Sequence, residues 1–202
     1  CRRNDPQEAE TAFQYYDHPS TIYVGSDSVK AGKFGFSFAV PRDINYTQGN
    51  GLINIYAIND SRSLAVNGSC DRFLVGGTSS LASDSIGPSV FCYLNSPSFE
   101  NGGSVNSTPY FVAQLRDKDG INVSGSSIGH NLELIIDDDM NKTYVLNDNF
   151  QYDFGSYTSG TTYYNIPELA PGKHRLQFKA WDVLNNFSTT WLDFEVVKNL
   201  TP

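Results

Sequence analysis

The chain has 202 residues, of which 18% are charged and 13% aromatic, and its net charge is −8. That length holds one large or two small domains, each able to bury a core. The acidic balance argues against nucleic acid or an anionic membrane surface as a partner. Abundant Gly, Ser, Thr and Asn beside the aromatics suit short strands and turns and leave little room for helices.

In chain order, residues 1–20 show no periodicity and are expected to be mobile or to pair with sequence outside the chain. Cys1 opens a hydrophilic stretch with no initiator Met. No signal-peptide pattern and no apolar run long enough to span a bilayer is present. The chain reads as a piece cut from a longer protein, with a lipidated N-terminal Cys as the alternative. Thr21–Val24 reads as a short strand. Lys33–Pro41 reads as a longer one, placing Phe34, Phe36, Phe38 and Val40 on one face until Pro41 stops it. Leu52–Ile58 and Arg72–Gly77 are the next expected strands. Together these make a β-rich domain over 21–77 with an apolar face that needs a cover. Upstream strands are the preferred cover, and the sequence leaves open whether this domain is complete.

Thr78–Gly87 is a polar linker. Beyond it seven strands fit, at 89–94, 109–116, 131–136, 142–147, 161–166, 173–181 and 189–197. The clearest follows the turn Pro171-Gly172, where His174, Leu176, Phe178 and Ala180 alternate with Arg175, Gln177, Lys179 and Trp181. The predicted fold class is all-β, an immunoglobulin-like β-sandwich over 88–198 preceded by a smaller β-sheet domain. The gap at 148–160 holds Phe150, Tyr152, Phe154 and Tyr157. They either cap the sandwich edge, the preferred reading, or face a ligand.

The cysteines are Cys1, Cys70 and Cys92, an odd number without C-x-x-C spacing, so neither a zinc site nor a disulfide framework is indicated. Cys70 and Cys92 are expected as two buried free thiols, with a bridge between them as the alternative.

Read whole, the second half carries Leu115–His130 (Leu-Arg-Asp-Lys-Asp-Gly-Ile-Asn-Val-Ser-Gly-Ser-Ser-Ile-Gly-His), then Val145-Leu-Asn-Asp148, Gly172-Lys-His-Arg-Leu and Ala180-Trp-Asp-Val-Leu-Asn-Asn186, in this order. Together they resemble the C-terminal region of the type IX secretion system sortase, a gingipain-type cysteine peptidase family of Bacteroidota. Phe38–Tyr46 and Phe73-Leu-Val-Gly-Gly77 are similar to the β-rich segment after its peptidase domain. Asn131 departs from the Asp expected after the Gly-His pair.

The resemblance implies a parent enzyme that removes C-terminal sorting signals from cargo and joins the new carboxyl end to an anionic lipopolysaccharide. It also implies an outer-membrane, periplasmic or cell-surface location. The implied partners are the chain's own upstream peptidase domain and outer-membrane secretion-system proteins. The family's catalytic His and Cys lie in that peptidase domain, so no catalytic residue and no enzyme activity is expected of this chain. Its own residues agree. A cysteine nucleophile needs a thiolate beside an imidazole, and Cys92 sits in the apolar run Val90–Leu94. His130 and His174, each at a strand start, read as hydrogen-bonded structural residues.

No cofactor is expected, and calcium is the one candidate. Asp117, Asp119 and Gly120 end the second sandwich strand, and Asp182, Asn185 and Asn186 end the sixth. In this topology both connections lie at one end, where hard oxygen ligands could converge on a cation. The plainer reading is that both stretches are good turns. Asp137–Asp139 falls at the opposite pole, as a solvated turn.

Eight Asn-x-Ser/Thr sequons occur, at Asn45, Asn59, Asn67, Asn106, Asn122, Asn141, Asn186 and Asn199. The chain's Asn and Ser content produces them by chance. Asp27-Ser28-Val and Asp84-Ser85-Ile resemble a short O-glycosylation motif of Bacteroidota. Three functions remain: a non-catalytic module of a sortase-type peptidase, an adhesin-like or carbohydrate-binding sandwich using the aromatic gap at 148–164, and a structural spacer.

Overall fold

The structure is a computed structural model and describes residues 21–44, 50–77, 84–125 and 129–198. Twelve strands are present among them: β1 Ile53–Ile58, β2 Ala65–Cys70, β3 Ser89–Leu94, β4 Ser104–Val105, β5 Tyr110–Arg116, β6 Ile121–Asn122, β7 Glu133–Ile136, β8 Asp139–Val145, β9 Gln151–Tyr152, β10 Ser159–Asn165, β11 Gly172–Asp182 and β12 Phe187–Val196. The only helical element there is a single 3-10 turn at Asn147–Asn149. The all-β expectation therefore holds.

Two sheets make the sandwich. One runs β3-β5-β10-β9; the other runs β4-β12-β11-β7-β8, with β6 added to the end of β11. All seven expected sandwich strands form, and β4, β6 and β9 are short additions. Alternation decides which side chains go inside. On β5, Phe111, Ala113 and Leu115 are buried, and on β11 Leu176, Phe178 and Ala180 are buried. The sheets meet where the Phe111 and Phe178 rings lie 5.2 Å apart. Leu94, Leu134, Ile136 and Phe194 belong to the same core. The last hairpin pairs Gly172 with Val196 through Trp181 with Phe187, the longest ladder among the described residues.

The region before the sandwich departs from expectation. Leu52–Ile58 forms β1, but its partner is Ala65–Cys70, which alternation did not reveal because it carries one branched hydrophobe, Val66. A turn organised by Asn59 joins them. Its Oδ1 accepts the Leu64 amide at 3.0 Å, its Nδ2 donates to Ser61 and Ser63 Oγ, and Arg62 takes a left-handed φ of 56°. Thr21–Val24, Lys33–Pro41 and Arg72–Gly77 are not strands. Apolar alternation selects a face, yet a strand also needs a neighbour for its N–H and C=O groups. Among the described residues, the strand pairing of Lys33–Pro41 is limited to the isolated bridge Lys30–Lys33. Its aromatics still line up: Phe34, Phe36 and Phe38 stack in series at 6.4 and 6.2 Å, and Tyr23 stacks on Phe38 at 5.6 Å. The expected strand is thus an unpaired strap with the predicted face.

Residues 1–20, part of the expected linker (78–83), and the sequons at Asn45 and Asn199 lie outside the described residues. The linker's end is seated on the sandwich. Asn186 Nδ2 donates to the Asp84 carbonyl at 3.2 Å, and Lys118 Nζ lies 3.1 Å from Asp84 Oδ2.

Candidate functional site

The residues expected at one pole do gather there. After β5 the chain turns through Asp117–Gly120, whose Gly120 has a φ of +124°. Asp117 Oδ1 accepts the amides of Asp119 at 2.8 Å and Gly120 at 3.2 Å. After β11, Asp182 Oδ1 accepts the amides of Leu184 at 2.8 Å and Asn186 at 2.7 Å, and Asn186 Nδ2 donates to its Oδ2. Both are Asx turns, in which a carboxylate replaces the backbone acceptor. They are laced together by Val183 N–H donating to the Gly120 carbonyl at 3.1 Å and by the β6–β11 pairing. Burial pushes the Asp117 carboxyl up, and the nearby charges of Asp182 and Asp119 push the same way, against the two amides that favour its ionised form.

Asp117, Asp119, Asp182 and Asn185 thus share a pole. Asp119 Oδ2 and Asn185 Oδ1 are buried there without a hydrogen-bond partner. Among the described residues no group of three or more His, Cys, Asp or Glu side chains is disposed to hold a metal ion. Oδ1 of Asp117 and Oδ1 of Asp182 are each spent on two backbone amides.

Sequence reading missed the third component of the pole, the strap. Arg42 N–H donates to the Val183 carbonyl at 2.9 Å. Asp43, whose side chain is 5% exposed, accepts from Asn122 Nδ2 at 3.0 Å and stands 2.7 Å from His130 Nδ1. The His130 ring lies 4.0 Å from that of Trp181. Farther along, Tyr23 Oη donates to the Ser156 carbonyl and Gly155 N–H donates to that of Ser26. No periodicity marks residues whose partners lie this far along the chain.

At the opposite pole Asp137 and Asp138 take φ of 57° and 55°, a left-handed two-residue hairpin turn. It is more than a solvated turn. Asp137 Oδ2 lies 2.8 Å from His174 Nδ1, its Oδ1 accepts the Arg175 amide, and His174 Nε2 bonds the Ala170 carbonyl oxygen. Burial alone would raise the Asp137 carboxyl, but these bonds and the charges of His174 and Lys142 hold it below the usual carboxylate range.

Cys70 and Cys92 are both free, and Cys70 is exposed, not buried as expected. Its neighbours on β2 are all exposed, while β1 has one half-buried face. Burial pushes the Cys92 thiol up to about 11, the wrong direction for a thiolate nucleophile. In the aromatic gap, Phe150 and Tyr152 pack on the core as caps, and Tyr152 Oη donates to the Ile121 carbonyl at 2.7 Å. Phe154 is exposed. Beyond them a cleft of about 330 Å³ opens, lined by Tyr110, Asn149, Tyr163, Tyr164 and Asn165. Three of these five fall in the stretch 148–164 that the sequence marked as aromatic-rich.

No protein-family model and no curated protein matches the chain. Among solved structures, an endo-β-1,4-mannanase from Thermotoga petrophila aligns at a TM-score of 0.35 and 12% identity over 54% of this chain and 20% of its own, too low to carry an argument. The crystal structure of dimeric latent PorU from Porphyromonas gingivalis aligns at a TM-score of 0.59 and 36% identity over 82% of this chain. The aligned part is 16% of the length of PorU. That likeness supports a PorU-like C-terminal region.

Proposed function

We propose that this chain is the non-catalytic C-terminal module of a type IX secretion sortase-like cysteine peptidase. In this reading it supports and docks the enzyme that removes C-terminal sorting signals and attaches cargo to surface lipopolysaccharide. The observation that carries the reading is the 36% identity with PorU across 82% of the chain. The ordered motifs around Asp117, Asp182 and the final hairpin lie within that β-rich architecture. The strap adds a physical argument. Phe34 and Phe36 are 51% and 43% exposed on one aromatic row, and Val24, Val29 and Val40 are exposed nearby. A row of that kind on an unpaired segment suits a contact with the peptidase domain that would precede it in the parent enzyme. Envelope or cell-surface association follows from the same reading, with outer-membrane secretion-system proteins as partners. No helix among the described residues is long and apolar enough to cross a membrane.

The test uses the complete open reading frame that encodes this chain. Phe34→Ser with Phe36→Ser in that protein is expected to impair release of the sorting signal from secreted cargo in cells. The sandwich itself, which these rings do not enter, should remain folded. An open reading frame without an upstream cysteine peptidase domain overturns the proposal outright.

A further inference from the structure

The cleft on the β3-β5-β10-β9 sheet arises from an unequal pairing. β9 covers β10 only at Gly160 and Thr161, and the rest of β10 runs on past it. The 3-10 turn Asn147–Asn149 stands beside that uncovered length, where Thr162 Oγ1 donates to the Leu146 carbonyl at 3.3 Å. The concavity is shallow and open to solvent, with a volume of about 330 Å³, toward the low end of small-molecule sites.

Its lining has one chemical character. Tyr110 and Tyr163 stack at 6.2 Å with ring planes 29° apart, and Asn165 pairs with Tyr110 across the strands. On the same outward face the rings of Phe91 and Tyr93 lie 5.7 Å apart, with Val112 between Tyr93 and Tyr163 in the register. No charged side chain lines the cleft. The phenol groups of Tyr110 and Tyr163 and the amides of Asn149 and Asn165 make no side-chain hydrogen bond to a described residue.

We infer that this cleft and the aromatic face beside it form a binding site for a neutral oligosaccharide. A pyranose presents a face of slightly positive C–H groups, which suits the electron-rich face of a tyrosine ring. Its rim of hydroxyls both donates and accepts, and an amide offers both functions in one plane. The absence of charge in the lining disfavours an anionic glycan or a phosphate. An added peptide strand is disfavoured because the segment leading into the Asn147–Asn149 turn meets β10 at Thr162, leaving only the short edge Tyr163–Asn165 beyond it. A proline-rich peptide, which also docks on aromatic grooves, is the competing occupant. The inference does not rest on the sortase reading, since a surface module of any origin could carry such a site.

The test is a glycan array probed with the complete chain, followed by calorimetric titration of the best neutral tetrasaccharide and of a proline-rich decapeptide. Neutral glycans are expected to bind. Tyr163→Ala should weaken that binding about tenfold, the loss of one aromatic stack, and Asn165→Ala should weaken it too. Trp191→Ala, on the opposite sheet and 53% exposed, should leave it unchanged. Far-ultraviolet circular dichroism checks that each variant is folded. No neutral glycan above background, binding only to anionic glycans, undiminished binding by both cleft variants, or preferential capture of the peptide would each overturn the inference.

Discussion

Asp43 reaches across 87 residues to His130, its Oδ2 2.7 Å from the ring Nδ1, while its Oδ1 takes the Nδ2 hydrogen of Asn122. One carboxylate on the strap therefore ties two points of the sandwich pole, and His130 passes the contact on to Trp181. Its bonds are sheltered, because the Asp43 side chain is 5% exposed. Asp43→Ala leaves an amide and an imidazole facing a void, a loss of about 2 kcal/mol. We expect it to lower the melting midpoint. We also expect protease cuts to appear within residues 21–44 before the sandwich is touched. Equal protection of the strap in variant and parent would remove Asp43 from this role.

The two Asx turns differ in what the charge of their carboxylates contributes. Asp182 is fully buried and holds two amides and the Asn186 side chain. Asp182→Ala therefore orphans buried donors and should cost about 2–3 kcal/mol by denaturant titration. Asp117 makes comparable bonds, but its charge is opposed by burial and by Asp182 and Asp119. Its folded pKa is raised above the unfolded value, so its contribution is fully present below the ordinary carboxylate range and is lost as pH rises through the raised value. Asp117→Asn keeps an acceptor oxygen and discards the charge. It should leave stability unchanged or increase it at neutral pH, whereas Asp117→Ala should lower it.

Acid should loosen the other pole. The folded pKa of Asp137 is lowered, so its contribution is present above the ordinary carboxylate range and is lost as pH falls through the lowered value. A series of thermal melts from neutral pH downward should show stability falling across that window in the parent. The fall should be smaller in Asp137→Asn. Parallel profiles would show that the His174 and Arg175 contacts carry no pH-dependent stability.

How much of this was legible in the sequence depended on the kind of constraint. The seven sandwich strands were legible because each buries alternate residues, as Leu176, Phe178 and Ala180 do, and burial writes its period into the chain. The convergence of Asp117 and Asp182 was legible because a known topology puts two marked turns at one end. The strap was misread as a strand because Phe34, Phe36 and Phe38 carry the period without a pairing partner. Ala65–Cys70 was missed for the opposite reason, having a partner without the period. His130 was read as hydrogen-bonded, but its partner Asp43 was not legible, since a single hydrogen bond between distant residues has no local pattern.

Calcium gives the last test, at the four residues Asp117, Asp119, Asp182 and Asn185. Calcium takes six to eight oxygens, and here Oδ1 of Asp117 and of Asp182 each already serve two amides. The buried oxygens left without a hydrogen bond at this pole are Asp119 Oδ2 and Asn185 Oδ1. A cation drawn to Asp119 Oδ2 would meet Lys118 Nζ 3.8 Å from the same oxygen, would fill most of its positions with water, and would be held weakly. The expected result is a melting midpoint that ignores chelator in trace calcium and rises only at about millimolar concentrations, the range of weak extracellular sites. Asp119→Asn should abolish the rise without lowering the starting midpoint, because Asp119 Oδ2 supports no backbone amide. A midpoint unmoved at millimolar calcium would sink the cation and leave Asp117 and Asp182 as the anchors of two laced turns.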